Sequence, residues 1–245
     1  MKRRRSTSPL GEQANSGDEE PGTDGGRTGS DVDIERVRDG RLSTSAGGST
    51  LLDRWLERIR NVARDLRAAF HRRMHPYRRR RALRSLREVE APSRILFVCH
   101  GNICRNPYAE GAFSRDLPAA FQGRIDCRSA GFIGPDRPSP SAARQAALER
   151  GVDLTDHRSR LLEPEVVRSS DLVFVMDGDQ ASAIRSRFRS VRVLLLGDLD
   201  TDNPDRRRIR DPVTQPPAVF REVYHRIDRC VSELVTVLEE RHATG

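Results

Sequence analysis

Cys99 and Arg105, with five residues between them, follow directly on the apolar run Ile95-Leu96-Phe97-Val98. His100, Gly101, Asn102, Ile103 and Cys104 fill the gap, and Asn106 and Pro107 lead into a helix-compatible stretch from Tyr108. Set between a strand and a helix, the backbone N–H groups of residues 100–105 can converge on one anion, with about half a positive charge from the helix N-terminus behind them. Gly101 and Asn102 are residue types that accept the unusual backbone angles of such a nest. A free cysteine with a pKa of about 8.5 is mostly protonated at neutral pH, so a nucleophilic Cys99 needs an electropositive seat of this kind. The planar fork of Arg105 can grip two phosphoryl oxygens at once, which a lysine cannot do. The chemistry this permits is attack of a thiolate on a phosphate ester, and it needs an acid for the leaving oxygen. Asp211, in Arg210-Asp211-Pro212-Val213 on a Pro-rich loop, is the candidate. The Cys-x5-Arg spacing alone carries little weight in a chain whose 44 basic residues are almost all arginine. Its strand-loop-helix setting carries the reading.

The elements that must position these groups follow from periodicity. Four short apolar runs, at 95–98, 125–128, 172–176 and 191–196, read as buried parallel strands. Helical stretches separate them at 108–116, 141–150 and 180–187, and a last helix spans 218–240 with Val219, Val223, Ile227, Val231, Leu234 and Leu238 on one face. The expected fold is α/β, three layers, with a four-stranded parallel sheet flanked by helices. In such sheets ligands bind beyond the carboxyl ends of the strands, where Cys99, Asp177 and the loop after Leu196 converge.

Upstream of the α/β region the composition changes. Residues 1–48 are Gly, Ser, Thr, Asp, Glu and Arg with almost no aromatic or β-branched apolar content, and are expected to be disordered. Residues 49–92 form a basic extension in which Leu52, Trp55, Leu56, Ile59, Val62, Leu66, Ala69 and Phe70 mark one face of a helix over about 50–74. Thr50 and Asp53 supply a capping box, and the arginines at 78–81 follow its end. The basic helical segment 50–81 has two readings: docking on an anionic membrane surface or an acidic partner, or packing on its own domain or on a second copy. Residues 93–245 form the α/β domain.

The chain has 245 residues, a formal net charge of +8 and four scattered cysteines, a pattern that fits a reducing cytoplasm better than a disulfide framework. Lys2-Arg3-Arg4-Arg5 is followed by polar residues, so a secretory signal is not expected, and no apolar run is long enough to span a bilayer. Localisation is expected to be cytoplasmic, with peripheral membrane association if the helix docks on lipid. Nucleic acid is disfavoured as a partner because stacking aromatics are sparse. A zinc site joining His71 and His75 to Cys99 and Cys104 fails on context, since Cys99 ends a strand and the histidines sit on a basic helix.

The ordered set Cys99-His-Gly-Asn-Ile-Cys-Arg105-x-Pro-x-Ala-Glu, Ser129-Ala-Gly131, Asp153-x-x-x-His157, Met176-Asp177 and Asp211-Pro212 resembles the low-molecular-weight protein tyrosine phosphatases over about residues 93–241. The resemblance implies hydrolysis of phosphotyrosine in a protein substrate through a phosphocysteine on Cys99, without metal or other cofactor. Asp211 is then the acid and afterwards the base. It also implies that Asn102, Ser129 and His157 hold the loop by hydrogen bonds and that Asp177 buttresses it. Two positions depart from the family pattern. Asn106 replaces the usual hydroxyl residue beside the thiolate, so slower catalysis is expected unless its amide substitutes. Val213-Thr214-Gln215-Pro216 replaces the usual aromatic wall after Asp-Pro, leaving Phe132 or Ile133 for the other side. Related alternatives are a protein-arginine phosphatase, disfavoured by the apolar Ile103, and an arsenate reductase, which would need relay cysteines between Met176 and Arg189. A non-enzymatic basic nucleic-acid- or membrane-binding module is the remaining class. Cys104 reads either as a packing residue or as a reversible disulfide partner of Cys99. Cys127 and Cys230 read as core.

Overall fold

The computed structural model describes residues 51–202 and 206–244. The tail 1–48 and the Thr50 cap lie outside the described residues.

The sheet comprises β1 (Arg94–Cys99), β2 (Asp126–Gly131), β3 (Leu172–Val175) and β4 (Val193–Leu195), all parallel, in the order β2-β1-β3-β4. Among the described residues six α-helices accompany it: α1 (Leu51–Arg87), α2 (Arg105–Asp116), α3 (Ser141–Leu148), α4 (Pro164–Arg168), α5 (Gly178–Arg187) and α6 (Pro217–Thr244). The expected three layers are present because β1 alternates across the sheet. Ile95, Phe97 and Cys99 face one apolar layer with α2, α3, α6 and the end of α1, while Leu96 and Val98 face a second layer with α5. Both faces of β1 are thereby buried, so its sequence is a continuous apolar run instead of an alternating one. The order also places a topological switch between β1 and β3, which opens a crevice at their carboxyl ends.

The ends of the elements differ from expectation in instructive places. β2 extends to Gly131, through Arg128-Ser129-Ala130, which lacks large apolar groups. Its close approach to the loop after β1 requires small residues there. The short helix α4 was not anticipated.

The largest difference is α1. It does not stop near residue 74 but continues through Pro76 to Arg87. Proline in a helix interior removes one backbone hydrogen bond, and here tertiary contacts hold the continuation. Ala82, Leu83 and Leu86 enter the core, and the buried His75 Nε2 lies 2.7 Å from the Asp200 carbonyl oxygen. Arg192 also donates to Ser85 O at 2.8 Å. Packing on the chain's own domain therefore describes the second half of α1. The first half keeps its apolar face in solvent, with Trp55 60% and Phe70 58% exposed.

Asp200 is the polar anchor of this corner. Its fully buried carboxylate accepts from Arg226 Nε at 2.7 Å and Arg229 Nε at 2.9 Å. Burial pushes the carboxyl up, but Arg229, Arg226 and the Asp202 N–H outweigh this and hold it below the usual range. The pair thus contributes stability above the ordinary carboxyl pKa of about 4 and loses it as pH falls through the depressed folded value. Asp200→Ala, which strands Arg226, should cost about 3–5 kcal/mol at neutral pH. In urea denaturation the gap to wild type should narrow on acidification below about pH 4.

Candidate active site

Cys99 closes β1 and is buried. Burial pushes its thiol up, while the Arg105 guanidinium and the backbone N–H groups of Asn102, Asn106 and Gly101 pull it back, and burial prevails. Those three N–H groups are directed at the sulfur, Asn106 among them although it lies past the expected 100–105, with the N-terminus of α2 behind them.

The loop is held by Asn102, whose φ of 50° is left-handed. Asparagine accepts this conformation more readily than most residues. All of its polar groups beyond the N–H are used: Nδ2 donates to Ser129 Oγ at 2.8 Å, Oδ1 accepts from Arg160 N at 2.6 Å, and its carbonyl lies 2.7 Å from His157 Nε2. Burial holds His157 below the usual imidazole range despite this bond, so the neutral ring donates through Nε2. Ser129 Oγ donates to Glu110, which is also gripped by Arg160 Nη2 at 2.9 and 3.0 Å. At Gly131, an added Cβ would lie 2.8 Å from Asn102 N and 2.9 Å from Gly101 C, so only glycine fits there.

Gly101 differs from expectation, because it does not take a left-handed angle. Its carbonyl accepts from Arg137 Nη2 at 3.0 Å, and the same guanidinium occupies the space where a Cβ would stand. His100 has an exposed side chain and contributes its carbonyl, which accepts from Phe132 N at 2.8 Å and Ile133 N at 3.2 Å. Ile103 is half-buried against the first apolar layer. Cys104 is buried at the N-cap of α2; burial pushes its thiol up, and its carbonyl accepts from Tyr224 Oη at 3.3 Å. Tyr224 in turn stacks on Tyr108 at 3.8 Å between ring centroids.

Arg105 is almost wholly buried, with its side chain 2% exposed. Nη1 donates to Ile209 O at 3.2 Å and Nη2 to the Asp211 carboxylate, while Nε finds no hydrogen-bond partner among the described residues. A buried guanidinium with a donor to spare suits an oxyanion. Asp211 reaches it because the loop folds back over the sheet edge: Ile209 is buried, and its N–H donates to Met176 O at 2.9 Å. The Asp211 side chain remains 35% exposed.

Asp177 departs from the expected buttress. Its carboxylate caps α5, accepting from Gln180 N at 2.9 Å and Gln180 Nε2 at 3.0 Å. His75, weighed for zinc, is committed to Asp200. Phe132 packs in the second apolar layer, leaving Ile133, 44% exposed, as the apolar group beside the loop.

Asn106 has a definite orientation. Nδ2 donates to the carbonyls of Phe97 at 3.0 Å and Ala130 at 2.7 Å, so Oδ1 must face Cys99 and accepts from its S–H at 2.7 Å. The amide therefore does not substitute for a hydroxyl donor. It stabilises the neutral thiol and opposes the thiolate, and turning it over would set its oxygen against two carbonyl oxygens.

Glu110, Arg160 and Arg137 are absent from the expected site residues. Glu110 stood in the quoted motif, but its partners are 19 and 50 residues away, a separation that no local pattern encodes.

Residues 94–244 match the family model described as low molecular weight phosphotyrosine protein phosphatase. The chain belongs to this family. It is 33% identical over 145 residues to a probable low molecular weight protein-tyrosine-phosphatase, EpsP, of Ralstonia nicotianae, covering 58% of this chain and 92% of the relative. The crystal structure of the Erwinia amylovora tyrosine phosphatase AmsI superposes with a TM-score of 0.54 at 27% identity, covering 61% of this chain and 95% of that one. The chain is also similar to the protein-arginine-phosphatase of Bacillus subtilis, 35% identical over 99 residues, or 40% of this chain and 65% of the relative.

The orientation of Asn106 makes a prediction. Asn106→Ser places a hydroxyl donor by the sulfur, so alkylation of Cys99 by iodoacetamide should reach its half-maximal rate at lower pH than in wild type. The thermal midpoint should fall, because the Phe97 and Ala130 carbonyls lose their donors. An unchanged alkylation profile would show that Asn106 does not restrain ionisation.

Proposed function

We propose that the protein hydrolyses phosphotyrosine monoesters in proteins, with Cys99 as nucleophile, Arg105 as phosphoryl clamp and Asp211 as acid. The convergence of Cys99, Arg105 and Asp211 on one crevice carries this reading. The Cys99 thiolate attacks phosphorus, forming an S–P bond as the P–O bond to the tyrosyl oxygen breaks. The loop N–H groups and Arg105 stabilise the charge on the equatorial oxygens. Protonated Asp211 delivers its proton to the leaving oxygen. The resulting carboxylate then takes a proton from water, whose oxygen attacks phosphorus and breaks the S–P bond. Inorganic phosphate leaves and the thiolate is restored.

Arg105 is paired with the Asp211 carboxylate in this structure, and a phosphoryl group seated on Arg105 competes for the same guanidinium. Ile103 and Ile133 support an aromatic leaving group over a guanidinium, since both present hydrocarbon beside the loop. The arginine-phosphatase reading rests on the Bacillus relative and predicts the opposite preference.

Aryl phosphate hydrolysis by wild type, Cys99→Ser and Asp211→Ala tests the assignment. Cys99→Ser should be inactive. Asp211→Ala should lose about 100- to 10,000-fold in kcat and the alkaline limb of its pH profile. Turnover by Cys99→Ser, or faster release from phosphoarginine than phosphotyrosine peptides, would contradict it.

For the first half of α1 we propose docking on an anionic lipid surface. Trp55, Ile59, Val62, Leu66 and Phe70 are exposed along one side, and residues 51–74 carry seven arginines against three acids. Among the described residues no helix is long and apolar enough to cross a membrane. The full chain should co-sediment with phosphatidylserine vesicles, less so in high salt and not after Trp55→Glu with Phe70→Glu. Equal recovery of wild type and variant would rule out the stripe as the contact.

A further inference from the structure

An open cleft of about 870 Å³ lies between the first half of α1 and the loop that carries Asp211. One wall is the polar side of α1, with Arg64, Arg67 and His71, and the other is the loop with Arg206, Arg208 and Asp211 itself. The cleft therefore shares Asp211, the partner of Arg105, with the catalytic crevice. Its first wall belongs to an extension outside the segment that matches the family model, 94–244. The wall is distinct from the apolar stripe, because residues 64, 67 and 71 follow one another at three- and four-residue steps on a different side of the helix from 59, 62, 66 and 70.

Cations outnumber anions along the cleft. Seven arginines line the cleft against four aspartates, and Asp177 among those four is already committed to capping α5. Some of the cations are occupied: Arg207 grips Asp198 at 2.8 and 2.6 Å, Arg210 donates to Gln215, and Arg64 donates to Asn61. Arg67 and Arg206 have no carboxylate partner among the described residues, and Arg208, 65% exposed, approaches Asp177 only to 3.9 Å. His71 reports the same field. Burial first, then Arg78, Arg207 and Arg67, hold its ring below the usual range, against a smaller opposing pull from Asp198. Arg78 Nη1 donates to its Nδ1 at 2.9 Å.

We propose that this cleft is a substrate-selecting subsite that takes glutamate and aspartate side chains flanking the phosphorylated residue of the protein substrate. This rests on the phosphatase reading and deepens it. An extended peptide whose phosphate sits on Arg105 must leave past Asp211, and α1 offers its neighbours a second row of cations. A small aryl phosphate carries no charged groups beyond its phosphate and makes no use of that row, so the extension acts on selectivity and not on the chemical step.

The full chain should be assayed with phosphotyrosyl peptides of one length carrying three glutamates before the phosphotyrosine, three after it, or glutamines at both places, alongside p-nitrophenyl phosphate. One acidic series should exceed the glutamine peptide in kcat/KM by about ten-fold, the size expected of two or three exposed ion pairs. The preference should collapse with Arg67→Gln plus Arg206→Gln and in high salt, while p-nitrophenyl phosphate is hydrolysed at the wild-type rate. Peptide affinities for Cys99→Ser, by fluorescence anisotropy, read the cleft without turnover. They should show the same preference, with the His71 imidazole resonances moving toward the protonated form when the acidic peptide binds. Equal affinities for acidic and glutamine peptides, or a preference kept by the double variant, would overturn the subsite. Absence of Cys99-dependent hydrolysis would instead count against the phosphatase reading.

Discussion

A buried sulfur can become an anion only if fixed donors surround it, and the loop after β1 depends on keeping those donors convergent. Asn102 meets that constraint. Its left-handed backbone turns the chain, and its side chain and carbonyl reach Ser129, Arg160 and His157, contributed by β2 and the segment after α3. Gly131 leaves room for this crossing. Glu110 ties the far side of Ser129 to Arg160, so the loop is clamped from α2 as well. Preorganisation of this kind does its work before substrate arrives, since the dipoles need not reorient as charge develops.

The same loop contains an opposing element. Asn106 closes the interior of the site by donating to two strand carbonyls, and the geometry leaves only its oxygen for Cys99. Local stability and thiolate formation therefore pull in different directions at one residue. Burial and the Asn106 oxygen act together against thiolate formation, while Arg105 and the loop N–H groups act for it.

Much of the fold was legible because β1 and β3 are buried on both faces and write themselves as unbroken apolar runs. β2 was legible only in part: near the loop its residues are small for packing reasons, not apolar. The loop, Arg105 and the fold-back of Asp211 could be placed in order along the chain, since strand and helix punctuation is local. Three features were not. The partners of Glu110 and Arg160 are long-range. The orientation of Asn106 is decided by two carbonyls on separate strands. The continuation of α1 past Pro76 is decided by contacts with α6 and Asp200, and the half of the helix before Pro76 presents an exposed apolar stripe and a basic wall.

The proposed hydrolysis requires Cys99 to form a covalent bond to phosphorus. Acid quenching of the full chain during turnover of an aryl phosphate, followed by mass spectrometry of its peptides, reads this directly. One phosphoryl group on the peptide that contains Cys99, lost in Cys99→Ser, is the predicted result. Continued turnover with no such adduct, or with the adduct on another residue, would contradict it.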